Sequence, residues 1–275
     1  MPKLLQSITA RLERAGVPSP HADAVWLLAH VTGASPAAVR LHEPMLEVQQ
    51  RDMLEHLVRR REAREPLQWI LGSAAFYDLE LIARPGVLIP RPETERLLEL
   101  VIGELSTDLS TPPRRVVDIG CGSGVLALGI KRHFPRLEVW ATDIAADAVN
   151  LTTENANALD LPLQIRRTSL LDGVPGQFDA IISNPPYLPD ADRAAAEPEV
   201  NLEPTEALYS GADGLTLARQ IAHLSTTRLS PGGLLALELD PRNAPTLRAE
   251  LEGLGFNARL EADLAGRERF VIARR

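Results

Sequence analysis

Along this 275-residue chain the apolar positions change their period near residue 73. Before that point they recur at helical spacing, with Leu4, Leu5, Ile8 and Leu12 on one face. Two Ser-Pro pairs, Ser19-Pro20 and Ser35-Pro36, each precede an apolar run. Each offers a capping hydroxyl followed by proline at the first helical position. A further helix is expected from Glu47 to Arg64, with Leu54, Leu57 and Val58 inward. Between residues 73 and 92 short apolar runs mix with turn residues. This predicts two short strands, a tight turn at Arg84-Pro85-Gly86 and a proline-flanked loop, Pro90-Arg91-Pro92. A helix follows from about Glu93, then a polar loop at 106–113. From Arg114 onward, RVVDI, LEVWAT, LQIRR, FDAII, GLLALEL and RFVIA read as strands, with helical stretches between most of them. In one such stretch Ala145, Val149, Thr152, Ala156 and Leu159 step by three or four. Alternating strands and helices predict an α/β fold with a mostly parallel sheet covered on both faces. The expected division is a helical domain over 1–72, a short β-hairpin linker over 73–92 and an α/β domain over 93–275.

Composition narrows the function classes. A hydrophobic content of 45% is enough to bury a core. The net charge of −8 weighs against a generic grip on nucleic acid, which needs a cationic surface. The first 75 residues carry 9 basic and 8 acidic side chains, so the deficit lies in the remainder, at −9. The basic run RRREAR (59–64) reads as a solvated helix face. A single cysteine excludes an intramolecular disulfide and fits a reducing compartment. The charged N-terminal segment does not resemble a secretory leader, and no apolar run approaches the roughly 20 residues that span a bilayer. A cytoplasmic monomer with no nucleic-acid or membrane partner is expected.

Chemistry concentrates at three strand ends. VVDIGCGSGVLALGI (116–130) is a strand, a glycine loop and a helix start. Gly120, Gly122 and Gly124 let the backbone turn sharply and approach a ligand closely. Gly122 to Ala127 also fits the dinucleotide pattern G-x-G-x-x-A, so the loop alone does not choose a cofactor. Asp143, 19 residues after Gly124 at the next strand tip, can accept both ribose hydroxyls of an adenosine. Cys121 reads as a small loop residue, because no histidine pattern offers it a base. IISNPPYLPD (181–190) favours methyl transfer over hydride transfer. The Asn184 side-chain oxygen and the Pro185 carbonyl can accept the two N–H groups of a planar NH2. Pro185 and Pro186 lack N–H groups and have fixed φ, so these acceptors are stiff and uncommitted. Tyr187 can pack on the planar group.

These residues resemble a known family. Asp118-Ile-Gly-Cys-Gly-Ser-Gly124, Asp143 and Asn184-Pro-Pro-Tyr187 resemble a class I S-adenosylmethionine-dependent methyltransferase, a Rossmann-like fold. PLQWILGSAAFYDLEL (66–81), Leu88-Ile-Pro-Arg-Pro-Glu-Thr-Glu95 and the stretch Glu199 to Leu215 are similar to signatures of the HemK/PrmC family. The resemblance covers nearly the whole chain. It implies methylation of the glutamine in the Gly-Gly-Gln loop of class I peptide chain release factors, at the side-chain amide nitrogen N5. It implies S-adenosyl-L-methionine held by Gly120, Cys121, Gly122, Ser123, Gly124, Asp143, Leu170 and Asn184. It implies a glutamine amide held by Asn184, Pro185, Pro186 and Tyr187, with no metal. Leu170 is aliphatic where the family often has an aromatic residue. Glu238-Leu-Asp240-Pro stands where E-I-G is usual. Arg91 and Glu93 lie in a family-matching loop, either near the site or as a salt-bridged turn. Rival readings are a ribosomal-protein glutamine methyltransferase, an RNA or DNA amine methyltransferase, a non-catalytic cofactor-binding regulator and a dinucleotide dehydrogenase. The last two leave residues 184–187 without a use.

A docking role for the helical domain predicts the effect of removing residues 1–72. Methylation of an intact release factor should be lost while cofactor binding, read by calorimetry, stays measurable. Loss of both in a folded fragment would count against docking.

Overall fold

The computed structural model describes residues 3–42, 44–106 and 115–275. The expected polar loop at 106–113 lies almost wholly outside them. The chain forms two compact units. The first comprises the described residues through Ser73 with Ala83–Pro85 and Glu197–Leu202, and the second comprises the rest.

The first unit is helical: α1 (Lys3–Arg14), α2 (Pro20–Thr32), α3 (Pro36–Leu41), α4 (Val48–Glu62) and α5 (Leu67–Leu71). Leu5, Ile8 and Leu12 of α1 meet Val25 and Leu28 of α2 and Leu54, Leu57 and Val58 of α4 in one buried core. Of the two Ser-Pro starts, only Ser35 caps, its hydroxyl accepting from the Ala38 N–H at 3.2 Å. Ser19 has ψ of 59°, outside the extended region from which a cap hydroxyl reaches the first turn.

The basic run on α4 is not simply a solvated face. Arg61 is buried, and its Nε donates to Asp23 Oδ2 at 2.7 Å while Nη1 donates to Glu199 Oε1 at 2.8 Å. Arg64 also donates to Glu199, from Nε at 2.6 Å. Against the cost of burial, Arg64 and Arg61 hold the Glu199 carboxyl below its usual range. Burial pushes Asp23 upward, and Arg61 opposes this. Periodicity missed this because a buried arginine depends on carboxylates distant in sequence.

The second unit follows the α/β expectation. A two-stranded hairpin, β1 (Ser73–Phe76) and β2 (Leu79–Ile82), leads to α6 (Pro92–Ser106). Then come β3 (Arg115–Ile119), α7 (Val125–His133), β4 (Glu138–Asp143), α8 (Ala146–Ala158), β5 (Gln164–Arg167) and β6 (Phe178–Ser183). The unit ends with α9 (Thr216–Arg228), β7 (Leu229–Glu238), α10 (Ala244–Gly253), β8 (Asn257–Ala262) and β9 (Glu268–Arg274). The large sheet has the order β5-β4-β3-β6-β7-β9-β8. Its first five strands in that order are parallel, and β9 runs antiparallel to both β7 and β8. Alternate residues of the central strands enter opposite cores. Val116, Ala180, Ile182 and Leu234 pack with α6 and α7, whereas Val117, Ile181, Leu235 and Leu237 pack with α9 and α10. Burial on both faces explains why these strands read as continuous apolar runs. The strand β8 escaped the sequence reading because NARLEA lies at the sheet edge with only Ala258 buried.

Successive strands run outward from β3 through β4 to β5, then return to the other side of β3 at β6. The carboxyl ends of β3 and β6 therefore flank a topological switch point, where open α/β sheets hold ligands. Among the described residues no helix is long and apolar enough to cross a membrane.

Replacing Arg61 by alanine leaves Asp23 buried without its guanidinium. The expected loss is about 3–5 kcal/mol of unfolding free energy in urea titration. Adding Asp23→Ala should recover part of it.

Candidate active site

The glycine loop leaves β3 at Ile119 and reaches α7 at Val125. Gly120, Gly122 and Gly124 have φ of 72°, 57° and 88°, a left-handed region costly for any residue with a Cβ. The loop is tied down from two sides. The N–H groups of Gly120 and Cys121 both donate to Thr142 O, at 2.8 and 3.0 Å. From α8, Thr152 Oγ1 donates to Gly122 O at 3.0 Å and Asn155 Nδ2 donates to Ser123 O at 3.0 Å. The inward face of α8 is polar at these two positions because it carries the loop. A Cβ on Gly124 would lie 2.9 Å from Thr152 Cγ2, so close helix approach is this glycine's use.

A cavity of about 170 Å³ opens at the switch point. Gly120 and Gly122, Asp143 from the tip of β4, Leu170 after β5, and Asn184 and Pro186 after β6 all line it. A smaller cavity beside it is lined by Asp118, Gly120 to Ser123, Arg91, Thr94 and Asn184. Gly124, Pro185 and Tyr187 line neither. Cys121 is buried against Thr152, and burial pushes its thiol well up, so it is no nucleophile at neutral pH. Leu170 takes a positive φ of 49° that turns the chain after β5.

Asp143 accepts from the N–H of Gly122 at 3.0 Å through Oδ2 and from Ala145 at 2.9 Å through Oδ1. Burial pushes its pKa up, and these N–H groups oppose the shift. A carboxylate has about four acceptor positions, so these N–H groups leave it capacity to accept from a ribose hydroxyl. Asp118 is a different case. It is 1% exposed; Oδ2 accepts from the Ala127 N–H at 3.2 Å, and among the described residues Oδ1 has no partner. Burial pushes this carboxyl up to about 7. An ammonium group near Oδ1 would satisfy it. A diol acceptor, an apolar wall and an orphaned buried carboxyl together fit the ribose, base and amino-acid ends of S-adenosylmethionine.

Asn184 directly follows β6, its Nδ2 donating to Thr94 Oγ1 at 2.9 Å. Among the described residues its Oδ1 has no partner, so the amide oxygen is a free acceptor on the cavity wall. Tyr187 is held at both ends. Its phenol donates to Glu238 Oε1 at 3.4 Å, and its carbonyl accepts from Asn243 Nδ2 at 2.9 Å. A Cβ on Gly214 would lie 2.1 Å from Tyr187 O, so only glycine fits there. Arg91 pairs with the buried Glu203, which also accepts from the Ile89 N–H at 3.3 Å. Glu93 lies 3.8 Å from Arg267. The loop carrying Arg91 is thus an ion-paired wall of the smaller cavity. Thr94, Asp118, Glu203, Glu238 and Asn243 had no role in the sequence reading. Of these, Thr94, Asp118 and Glu203 lay within the stretches that carry the family resemblance, and Glu238 within a departure from it.

Comparison with known proteins gives the family. A model described as the PrmC N-terminal domain matches residues 3–72, and one described as the methyltransferase small domain matches 98–199. A release factor glutamine methyltransferase of Deinococcus radiodurans is 49% identical over 99% of this chain and 97% of its own length. The chain belongs to the release factor glutamine methyltransferase family. Another member, from Corynebacterium glutamicum, is 35% identical over 98% of this chain and 97% of its own length. As a family member the chain is an S-adenosylmethionine-dependent methyltransferase. Solved structures agree on the class I methyltransferase fold. A methyltransferase from Pyrococcus furiosus superposes with TM-score 0.53 at 18% identity, over 83% of this chain and 98% of that one. The T. thermophilus 16S rRNA N2 G1207 methyltransferase, in complex with AdoMet and guanosine, gives 0.54 at 22%, over 74% and 49%.

Asp143→Asn should weaken S-adenosylmethionine binding about 10- to 100-fold by calorimetry, through loss of charge-assisted acceptors. Wild-type affinity should also weaken as pH falls through about 7, because Asp118 then becomes neutral.

Proposed function

We propose that this chain methylates N5 of the glutamine in the Gly-Gly-Gln loop of class I peptide chain release factors. The observation that carries the chemistry is the free Asn184 oxygen, left over because Thr94 takes the amide's NH2 group. Bound S-adenosylmethionine supplies an electrophilic methyl group on sulfonium. The chain's own task is orientation. The lone pair of a glutamine amide is delocalised and a weak nucleophile, so it must be held at a fixed angle. Asn184 Oδ1 and the Pro185 carbonyl accept its two N–H groups. Proline at 185 and 186 keeps competing N–H donors away. Tyr187 walls the planar group. As the nitrogen gains positive charge, both acceptors bind it more strongly, which favours the transition state over the ground state. The surplus proton leaves to water.

The helical unit serves as the docking element for the release factor. Trp26, Leu41, Met45, Val48, Met53 and Leu202 are large apolar side chains exposed on it. The net charge of −8 favours a protein partner over a nucleic acid. The enzyme acts as a cytoplasmic monomer.

The test is methyl transfer from labelled S-adenosylmethionine to an intact release factor, to the same factor with its Gly-Gly-Gln glutamine changed to alanine, and from an Asn184→Ala enzyme. Label on the unaltered factor alone, reduced at least about 100-fold by Asn184→Ala, is expected. Label on a ribosomal protein or RNA instead would overturn the substrate.

A further inference from the structure

Asn243 sits at the start of α10, where an asparagine ordinarily turns its side-chain oxygen onto the N–H groups of the first turn. Here it makes no such cap. The side chain is buried, and its Nδ2 donates instead to two carbonyls from other parts of the chain, Tyr187 O at 2.9 Å and Asp213 O at 3.3 Å. Two carbonyl oxygens accept only from the NH2 end of the amide, so its orientation is settled. The Oδ1 left over is buried without a partner among the described residues, a cost that capping would have removed. The amide is thus committed to Tyr187 rather than to its own helix.

What it holds is the far end of Asn184-Pro-Pro-Tyr187. The near end is fixed by β6, where Ser183 pairs with Leu237 and its hydroxyl donates to Ile119 O at 2.5 Å. Beyond the run, the Leu188 N–H donates to Leu208 O and Leu188 O accepts from the Ser210 N–H, both at 2.9 Å. Between these ties the two prolines fix φ at 185 and 186 but leave ψ to be set by what anchors the segment. Among the described residues, the bond from Asn243 is the one hydrogen bond made to the main chain of Pro185, Pro186 and Tyr187. Gly214 crowds the same atom: a Cβ there would lie 2.1 Å from Tyr187 O and 2.8 Å from Asn243 Nδ2.

We propose that Asn243 is a positioning residue for methyl transfer. By anchoring the Tyr187 carbonyl to the Asp213-Gly214 turn, it sets the direction of the Pro185 carbonyl and the place of the Tyr187 ring against the substrate NH2. This rests on the clamp reading of residues 184–187. Releasing the anchor leaves Asp143 and the glycine loop in place, so the effect falls on the transfer step and not on cofactor binding.

The experiment measures kcat, and KM for the release factor, at saturating S-adenosylmethionine, with cofactor affinity by calorimetry and folding by circular dichroism. It compares wild type, Asn243→Ala, Asn243→Asp, Gly214→Ala and the double variant Asn243→Ala/Gly214→Ala. Aspartate caps a helix as well as asparagine but offers Tyr187 no donor, so a capping role alone would leave kcat of Asn243→Asp at the wild-type value. Positioning predicts a kcat about 10- to 100-fold lower in each single variant, with KM and cofactor affinity within about threefold of wild type. Both positions act on the Tyr187 carbonyl, so the double variant should lose about as much as the worse single one rather than the product. Gly214→Ala leaves α10 untouched and carries the test if the Asn243 variants do not fold. Wild-type kcat in folded Asn243→Asp or Gly214→Ala, multiplied losses in the double variant, or parallel loss of kcat and cofactor affinity would each overturn the proposal. Full activity of Asn184→Ala would instead overturn the clamp, so the two failures are distinguishable.

Discussion

The parallel pairing of β3 with β6 is the constraint from which the rest of the site follows. Val116 to Asp118 pair with Ala180 to Ile182, so both strands end at the same edge of the sheet. Their chains then depart differently, one through the glycine loop into α7 and the other through Asn184-Pro-Pro-Tyr187 into a long connection. The opening between them needs no dedicated element to form it. Asp143, at the end of β4, reaches the same edge because β4 pairs with β3 in parallel. One hydrogen-bonded ladder thereby brings together residues as far apart in sequence as 118 and 184.

The site also gathers buried carboxyls that would be costly alone. Among the described residues Asp118 and Glu238 each keep one oxygen without a partner, and burial pushes both up to about 7. Glu203 is neutralised by Arg91. A buried unpaired carboxyl costs free energy, and such groups gather where chemistry needs them. The helical unit answers the same cost by pairing, with Arg61 between Asp23 and Glu199.

Much of this could be read in the chain. A 3.6-residue period located the helices of the first unit, and continuous apolar runs located the central strands, which are buried on both faces. Glycine spacing and the Asn-Pro-Pro-Tyr run located the cavity, because both carry backbone restrictions that few other residues satisfy. The edge strand β8 did not register, as its side chains are mostly solvated. Arg61 was read as solvated because a charge pattern along one helix does not reveal the carboxylates that bury it.

By itself, then, the sequence determined the alternation of strands and helices, the glycine loop after β3, and the stiff Asn-Pro-Pro run after β6. These are local properties, encoded by glycine, proline and the period of apolar side chains. Tertiary structure decided which end of the Asn184 amide is free, which carboxyls are orphaned, and which glycine is needed for close approach rather than for a ligand. Each depends on a partner in another element: Thr94 for Asn184, Thr152 for Gly124, Tyr187 for Gly214. Hydrogen bonds and contacts between residues distant in sequence have no period, so they become legible only once the sheet has set those residues side by side.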